Sequence, residues 1–181
     1  MLISKFALGL SLLLGAFFSS RSSADDDGHE KEHSVKKHKK PSVEVAENPL
    51  YKAECGSCHM LYPPGLLPAR SWQVLMKGLD NHFGETASLD SKTAASILEF
   101  LESHAADRSS AKKSRKIAGS IPTRDTPLRV SETSYFKKEH DEIRADVWKR
   151  KSIVSPANCI ACHTQAEFGS FSEKEIRIPK S

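Results

Sequence analysis

The four cysteines of the chain occur as two pairs with the same spacing, and each pair is followed directly by a histidine. The first group is Cys55-x-x-Cys58-His59 and the second is Cys159-x-x-Cys162-His163. Two thiols one helical turn apart can add to the two vinyl groups of a haem, and the adjacent imidazole then points at the iron. This spacing is the attachment signature of c-type haem. The sequence therefore predicts two covalently bound haem c groups, with His59 and His163 as proximal ligands.

Three other chemistries use paired cysteines. Two such pairs can hold a zinc ion, but a structural zinc site needs no histidine after both pairs. A redox-active pair suits a thioredoxin-like fold, but the sequence has no βαβ pattern. Disulfides fit an exported protein, but the loops that they would close are very short and would add little stability. The repeated histidine therefore favours haem attachment.

Each iron also takes a second axial ligand from elsewhere in the chain. The candidates are His82, His104, His140, Met60 and Met76. Met60 directly follows a proximal ligand and cannot reach the opposite face of that haem, and Met76 lies within an apolar stripe, where methionine commonly fills the core. His82 and His140 fall on apolar helix faces and are the preferred ligands. His104 is the reserve candidate, since a histidine near a helix end is also favoured by the dipole.

The elements that must hold the first site are helical. A proline-rich loop is followed by a predicted helix from an N-cap at Ser71 to Gly84, whose apolar face includes His82. A second helix is predicted from about Asp90 to Ala106. Residues 107–126 lack apolar helical spacing and are predicted to be a linker.

The second half repeats the attachment motif but little else of the first half. Its apolar pattern resumes with Tyr135 and Phe136, and one predicted helix face carries residues 136, 140, 143 and 147. Pro156 breaks the chain before the second motif, and residues 168–178 are predicted to form a short packing arm. The fold class is therefore mainly α, with two small haem-binding domains at residues 48–118 and 119–181.

The first 24 residues have the pattern of a secretory signal peptide. Lys5 is followed by an apolar run over residues 6–18, and Ser22 and Ala24 form a small-residue cleavage site. The run is shorter than the about 20 residues that span a bilayer as a helix. We therefore expect export to the periplasm and only peripheral contact with the membrane.

The charge of the chain gives no support for nucleic-acid binding. The net charge is +4, and cleavage removes Lys5 and Arg21 but no acidic residue, which leaves a net charge of about +2. Residues 25–47 are polar and carry several histidines and lysines. We expect them to form a disordered tail, although histidine-rich tracts also bind metals weakly.

Longer motifs resemble the bacterial dihaem cytochrome c family. In the first half they are Cys55–Pro64, Leu67–Trp72, His82–Gly84 and Ala87–Leu89; in the second they are Arg129, Ser131–Thr133, Phe136, His140, Cys159–His163 and Ala166–Glu167. The resemblance extends over nearly the whole chain from about Asn48. It implies two haem domains, the first similar to a small single-haem cytochrome c, and bis-histidine irons with His82 and His140 as distal ligands.

The resemblance also implies a function and partners. The expected role is a one-electron carrier, not an enzyme, between a membrane donor and a soluble or membrane acceptor. The expected redox partners are a membrane b-type cytochrome and an oxygen-binding c-type haem protein. The alternative is a haem enzyme, such as a peroxidase or a reductase subunit, which needs an open axial position on one iron.

Overall fold

A computed structural model describes residues 41–180 of the chain. The predicted signal peptide and residues 25–40 of the predicted tail lie outside the described residues. The fold is mainly helical and the described part contains no β-strand, only two isolated bridges. The helices are α1 (Pro49–Cys55), α2 (Ala69–Lys77), α3 (Ser91–Ser103), α4 (Lys112–Gly119), α5 (Ser134–Glu139) and α6 (Ala145–Trp148), with short 3-10 turns between them.

The first cysteine of the first motif is the last residue of helix α1. It begins at an N-cap, Asn48, whose side-chain oxygen accepts a hydrogen bond from the Tyr51 amide at 2.9 Å, and Pro49 occupies its first turn, where a missing N–H costs nothing. The helix ends at Cys55, and the N–H of Gly56 donates to the Lys52 carbonyl. The first thiol of the motif is thus held on a capped helix.

Helices α2 and α3 form the main core of the first half. The predicted helix at Asp90 is confirmed, because this carboxylate accepts hydrogen bonds from two backbone amides at 3.0 Å and caps α3. The side chains that meet between α1, α2 and α3 are apolar and buried: Tyr51, Leu67, Ala69, Trp72, Ile97, Phe100, Leu101 and Ala105. The Trp72 indole N–H is satisfied by the Pro64 carbonyl at 2.9 Å.

The predicted helix from Ser71 to Gly84 is shorter than expected. Helix α2 begins after Pro68, with Ser71 buried inside it, and it ends before Gly78. A proline at the N-cap position has a fixed φ suited to an extended entry, and glycine favours termination. Residues 79–81 then form a 3-10 turn, so His82 lies on a turn and not on the helix.

The predicted linker over residues 107–126 contains a helix. In α4, Ile117 is 2% exposed and Ser114 is fully buried. The Ser114 hydroxyl accepts a hydrogen bond from the Glu44 amide at 2.8 Å. Ile117 packs in a buried cluster with Val43, Leu66 and Ile121. Because Ile117 and Ser114 are the buried residues of α4, the sequence of this helix shows no apolar stripe.

The predicted helix face over residues 136–147 is divided between two helices. Helix α5 starts at a Thr133 N-cap and ends at His140, and α6 follows after four more residues. The Nδ1 atom of His140 donates a hydrogen bond to the Phe136 carbonyl oxygen at 2.8 Å. In a continued helix, the backbone amide of residue 140 would donate to this same oxygen. This competition accounts for the break.

The two expected domains pack as one unit. The described residues belong to a single compact unit, without a division at residue 118. The end of the predicted tail is also packed, because Val43 is 1% exposed and its amide donates to the Gly169 carbonyl at 3.1 Å. Residues 41–47 are therefore not a disordered tail but part of the fold, held by backbone hydrogen bonds to the distant C-terminal segment.

Gly169 is the residue where this packing is tightest. Its φ is +68°, and an added Cβ would lie 2.7 Å from the Val43 carbonyl oxygen. We expect Gly169→Ala to lower the free energy of unfolding by about 1–3 kcal/mol, because it combines a left-handed backbone with a close contact. Denaturant unfolding of the haem-loaded protein measures the change.

Gly119→Ala is the matched control, because it lies at the end of α4 and a Cβ there has no described heavy atom within 4 Å. We expect it to be neutral or to stabilise by up to about 1 kcal/mol. Equal stabilities for the two variants would contradict the close packing of residues 41–47.

Candidate haem-binding sites

The first attachment motif lies at the end of α1. Cys55 is half-buried, Cys58 and His59 are exposed, and both thiols are free. Burial, and then the neighbouring Glu54 carboxylate, raises the pKa of Cys55 to about 11. The thiol is therefore protonated at neutral pH, and an S–H group is what adds across a vinyl double bond.

The second motif forms a 3-10 turn over Cys159–Ala161. The His163 amide donates to the Cys159 carbonyl at 2.8 Å, and the Arg177 amide donates to the Cys162 carbonyl at 2.8 Å. The C-terminal segment thus binds back onto the motif. Burial also raises the pKa of Cys159 to about 11, so this thiol is protonated as well.

His59 faces His82 in the first site. Their ring centroids are 6.3 Å apart and their planes differ by 27°. The Nδ1 atom of His59 lies 2.7 Å from the Met60 carbonyl oxygen and donates to it. Because one ring nitrogen carries the proton in this bond, the other presents its lone pair to a metal.

A tight turn presents His82 to this site. The His82 amide donates to the Glu85 carbonyl at 2.7 Å, and the Glu85 amide donates back at 3.2 Å. Both central residues, Phe83 (φ 58°) and Gly84 (φ 103°), have positive φ angles, the pattern of a type I′ turn. Asn81 supports the turn by accepting a hydrogen bond from the Gly84 amide.

His140 faces His163 in the second site, with ring centroids 6.0 Å apart and planes at 80°. The His140 ring stacks on Phe136 at 4.0 Å and also contacts Trp148 at 5.9 Å. Its Nδ1 atom donates to the Phe136 carbonyl, which leaves Nε2 with the free lone pair. The Nδ1 atom of His163 is buried and has no hydrogen-bond partner within residues 41–180.

The electrostatics keep one histidine of each pair neutral. Burial, then His59 and Arg129, lowers the pKa of His82 below its ordinary value. Burial, then His140 and Lys113, lowers the pKa of His163 to about 4. Only a neutral imidazole can bind a metal, so both side chains are in the ligating form at neutral pH.

The spacing of both pairs fits an iron between two imidazoles. Metal–imidazole bonds are about 2 Å long, so two opposed rings on one metal have centres about 6 Å apart. The observed separations are 6.3 and 6.0 Å. The two cysteines of each motif and the separation of each imidazole pair together fit a covalently attached haem at each motif.

The other ligand candidates lie elsewhere. His104 caps the end of α3, and its Nδ1 atom lies 2.9 Å from the Phe100 carbonyl oxygen. Met60 is 7% exposed, and Met76 packs against the main core. Among residues 41–180, no group of three or more His, Cys, Asp or Glu side chains is placed to hold a metal ion.

Tyr62 connects the two motifs, and sequence analysis assigns it no role. Its ring centroid lies 5.1 Å from that of His59, and its hydroxyl donates to the Ala157 carbonyl, two residues before Cys159, at 2.7 Å. Burial, then Cys159, raises the pKa of Tyr62 to about 12, so the hydroxyl keeps its proton. The only sequence signal is an aromatic residue three positions after an attachment histidine.

These features define the class of the protein. Two Cys-x-x-Cys-His motifs whose cysteines form no disulfide, each beside a pair of facing histidines within a mainly helical fold, are typical of a c-type cytochrome. None of the helices in residues 41–180 combines the length and apolar character needed to cross a bilayer.

The chain belongs to the dihaem cytochrome c family, whose sequence model matches residues 51–171. It is 45% identical to a dihaem cytochrome c from Rhodobacter sphaeroides, with 71% of this chain and 100% of that chain covered and a TM-score of 0.63. It is 37% identical to a dihaem cytochrome c from Shewanella baltica OS155, with 75% and 96% covered and a TM-score of 0.61. Among curated protein sequences, none matches.

Family membership establishes the cofactors and the class of function. The chain carries two covalently bound haem c groups and is an electron-transfer protein. Members of the family are electron carriers and not enzymes. The alternative of a peroxidase or reductase subunit is therefore not retained.

Haem attachment is directly testable by mass. We expect the double variant Cys159→Ala, Cys162→Ala to lose one covalently bound haem, because no thiol remains to form a thioether at that motif. Mass spectrometry of the denatured protein, expressed with c-type maturation, measures the number of haems. Ser57→Ala changes a residue between the first two cysteines and should keep both haems. Two covalent haems in the double variant would contradict the assignment.

Proposed function

We propose that this protein is a periplasmic electron carrier in which both haem irons are bound by two histidines. The first iron is assigned to His59 and His82, and the second to His163 and His140. The observation that carries the proposal is the presence of two facing imidazole pairs with centroid separations of 6.3 and 6.0 Å. Both pairs join residues from the same expected half, 48–118 or 119–181, which favours distal ligands that are not exchanged between halves.

A haem iron with two imidazole ligands has no open position for a substrate, so it accepts and donates one electron at a time. Its reduction potential is lower than that of an iron bound by histidine and methionine. The residues of the chain support this use. Carbonyl oxygens at Met60 and Phe136 fix the tautomers of His59 and His140. Aromatic rings of Phe136, Trp148 and Phe171 lie against the second pair.

The proposed location of the protein rests on the predicted signal peptide, and its proposed partners rest on the family resemblance. A secretory leader over residues 1–24 supports the periplasm. The proposed partners are a membrane b-type cytochrome and an oxygen-binding c-type haem protein, with peripheral contact at the membrane surface. One electron at a time would pass from the donor to the acceptor.

Carbon monoxide tests whether either iron has an open position. We expect the reduced protein to show sharp low-spin bands that do not change with carbon monoxide, because both axial positions are filled. Visible spectroscopy of the purified haem-loaded protein measures this. A spectrum that shifts with carbon monoxide would contradict bis-histidine ligation.

Single substitutions test which histidines bind. We expect His82→Met and His140→Met each to raise the reduction potential of one haem, since a thioether ligand raises it. Spectroelectrochemical titration measures both potentials. His104→Met is the matched control, because this histidine already bonds to the Phe100 carbonyl, and it should change neither haem. If His104→Met shifts a reduction potential and His82→Met does not, His104 and not His82 is the distal ligand of the first haem.

A further inference from the structure

The turn that carries His82 has an unusual residue at its first central position. Phe83 adopts a φ of 58°, a conformation that is rare for a bulky side chain, and it is 44% exposed. Such strain persists only where surrounding contacts hold it. The Phe83 ring makes two contacts of this kind, one with His82 and one with an arginine from the other half of the chain.

That arginine is Arg129. Its guanidinium carbon lies 3.7 Å from the centroid of the Phe83 ring, a close cation–π contact. The same ring meets the His82 ring edge-on, with centroids 4.8 Å apart. Phe83 therefore contacts both a permanent positive charge and the distal histidine of the first site.

Within residues 41–180, Glu132 is the acidic residue that pairs with this charge. The guanidinium of Arg129 lies 3.6 Å from a carboxylate oxygen of Glu132, and both side chains are about half exposed, 46% and 52%. A pair with this exposure does not bind tightly. The charge of Arg129 is thus held in place mainly by the aromatic stack and is only partly neutralised.

We propose that Arg129 sets the reduction potential of the haem bound between His59 and His82, by holding a positive charge over the Phe83 ring. The inference rests on the bis-histidine electron carrier proposed above and extends it by naming a residue that is not a ligand. Arg129 belongs to residues 119–181, so the second half of the chain tunes the haem of the first.

The direction follows from charge balance. Reduction of this haem takes one electron from the partner protein, converts ferric to ferrous iron and lowers the charge of the site by one. A nearby positive charge stabilises the reduced form more than the oxidised form and so raises the potential. Salt screens charges beyond about 8 Å at physiological ionic strength. A charge that contacts the same ring as His82 therefore keeps part of its effect on the haem.

Two substitutions should move the potential in opposite directions. We expect Arg129→Gln to lower the potential of the first haem, with a threefold to tenfold change in its reduction equilibrium, where tenfold corresponds to about 59 mV for one electron. Glu132→Gln should raise it, because the balancing charge is removed. The second haem should change little in both variants.

Spectroelectrochemical titration of the full haem-loaded protein measures both potentials, and the first haem is the one that His82→Met shifts. Arg129→Lys keeps the charge without the planar group and should stay near the wild-type potential. Arg124→Gln is the control for net charge, because its side chain is 87% exposed and lies in the same segment. It should leave both potentials unchanged.

Equal shifts with Arg124→Gln and Arg129→Gln would overturn the proposal in favour of a general charge effect. So would an Arg129→Lys variant whose potential falls as far as that of Arg129→Gln, because the charge would then not be the cause. Glu132→Gln changes the net charge beside Phe83 but keeps the contact between Arg129 and Phe83. The proposal can therefore be tested even if Arg129→Gln fails to fold. If His82→Met shifts no haem, the ligand assignment fails instead.

Discussion

The structure depends on two pairs of imidazole rings, each with ring centres about 6 Å apart. At each site one histidine is fixed by a Cys-x-x-Cys-His motif and the other by an element that has to be positioned against it. The first site uses a tight turn with two positive φ angles, and the second uses the end of a six-residue helix. Neither element is stable alone, because short helices and turns form only when tertiary contacts hold them. The surrounding helices, caps and aromatic contacts hold the two rings of each pair at this separation.

Contacts between the expected halves make the two sites one unit. Tyr62 joins the first motif to the segment before the second through its hydroxyl, and Gly169 receives the amides of residues 42 and 43. Arg129 reaches the turn of the first site from the second half. The halves also share an apolar cluster, in which Leu66 and Ile117 of the first half pack with Ile121 of the second. A small protein that carries two large cofactors can fix their separation in this way without a large core.

Local signals predicted some elements and missed others for identifiable reasons. Asp90 caps α3 as expected, since a capping carboxylate acts on amides two and three residues away and is visible in sequence. Helix α4 was missed because its packing rests on Ile117 and the buried Ser114, whose partner Glu44 is 70 residues distant. The continuous helix over residues 136–147 was wrong because apolar spacing does not reveal that the His140 side chain competes for a backbone carbonyl. The role of Tyr62 was missed for the same reason as α4, since its partner lies 95 residues away.

The sequence by itself determined the attachment chemistry, because two thiols and an imidazole within five residues fix their own geometry and need no other part of the chain. It also determined the class of protein, the mainly helical fold and a short set of histidines able to face each motif. Only the tertiary structure decided which of them does so: His82 lies opposite His59, His140 lies opposite His163, and His104 turns to the carbonyl of its own helix. The physical reason is that a pair of opposed imidazoles is defined by separation in space. Spacing along the chain predicts that separation within one helical turn, but not between two histidines that lie 23 positions apart, as those of each pair do.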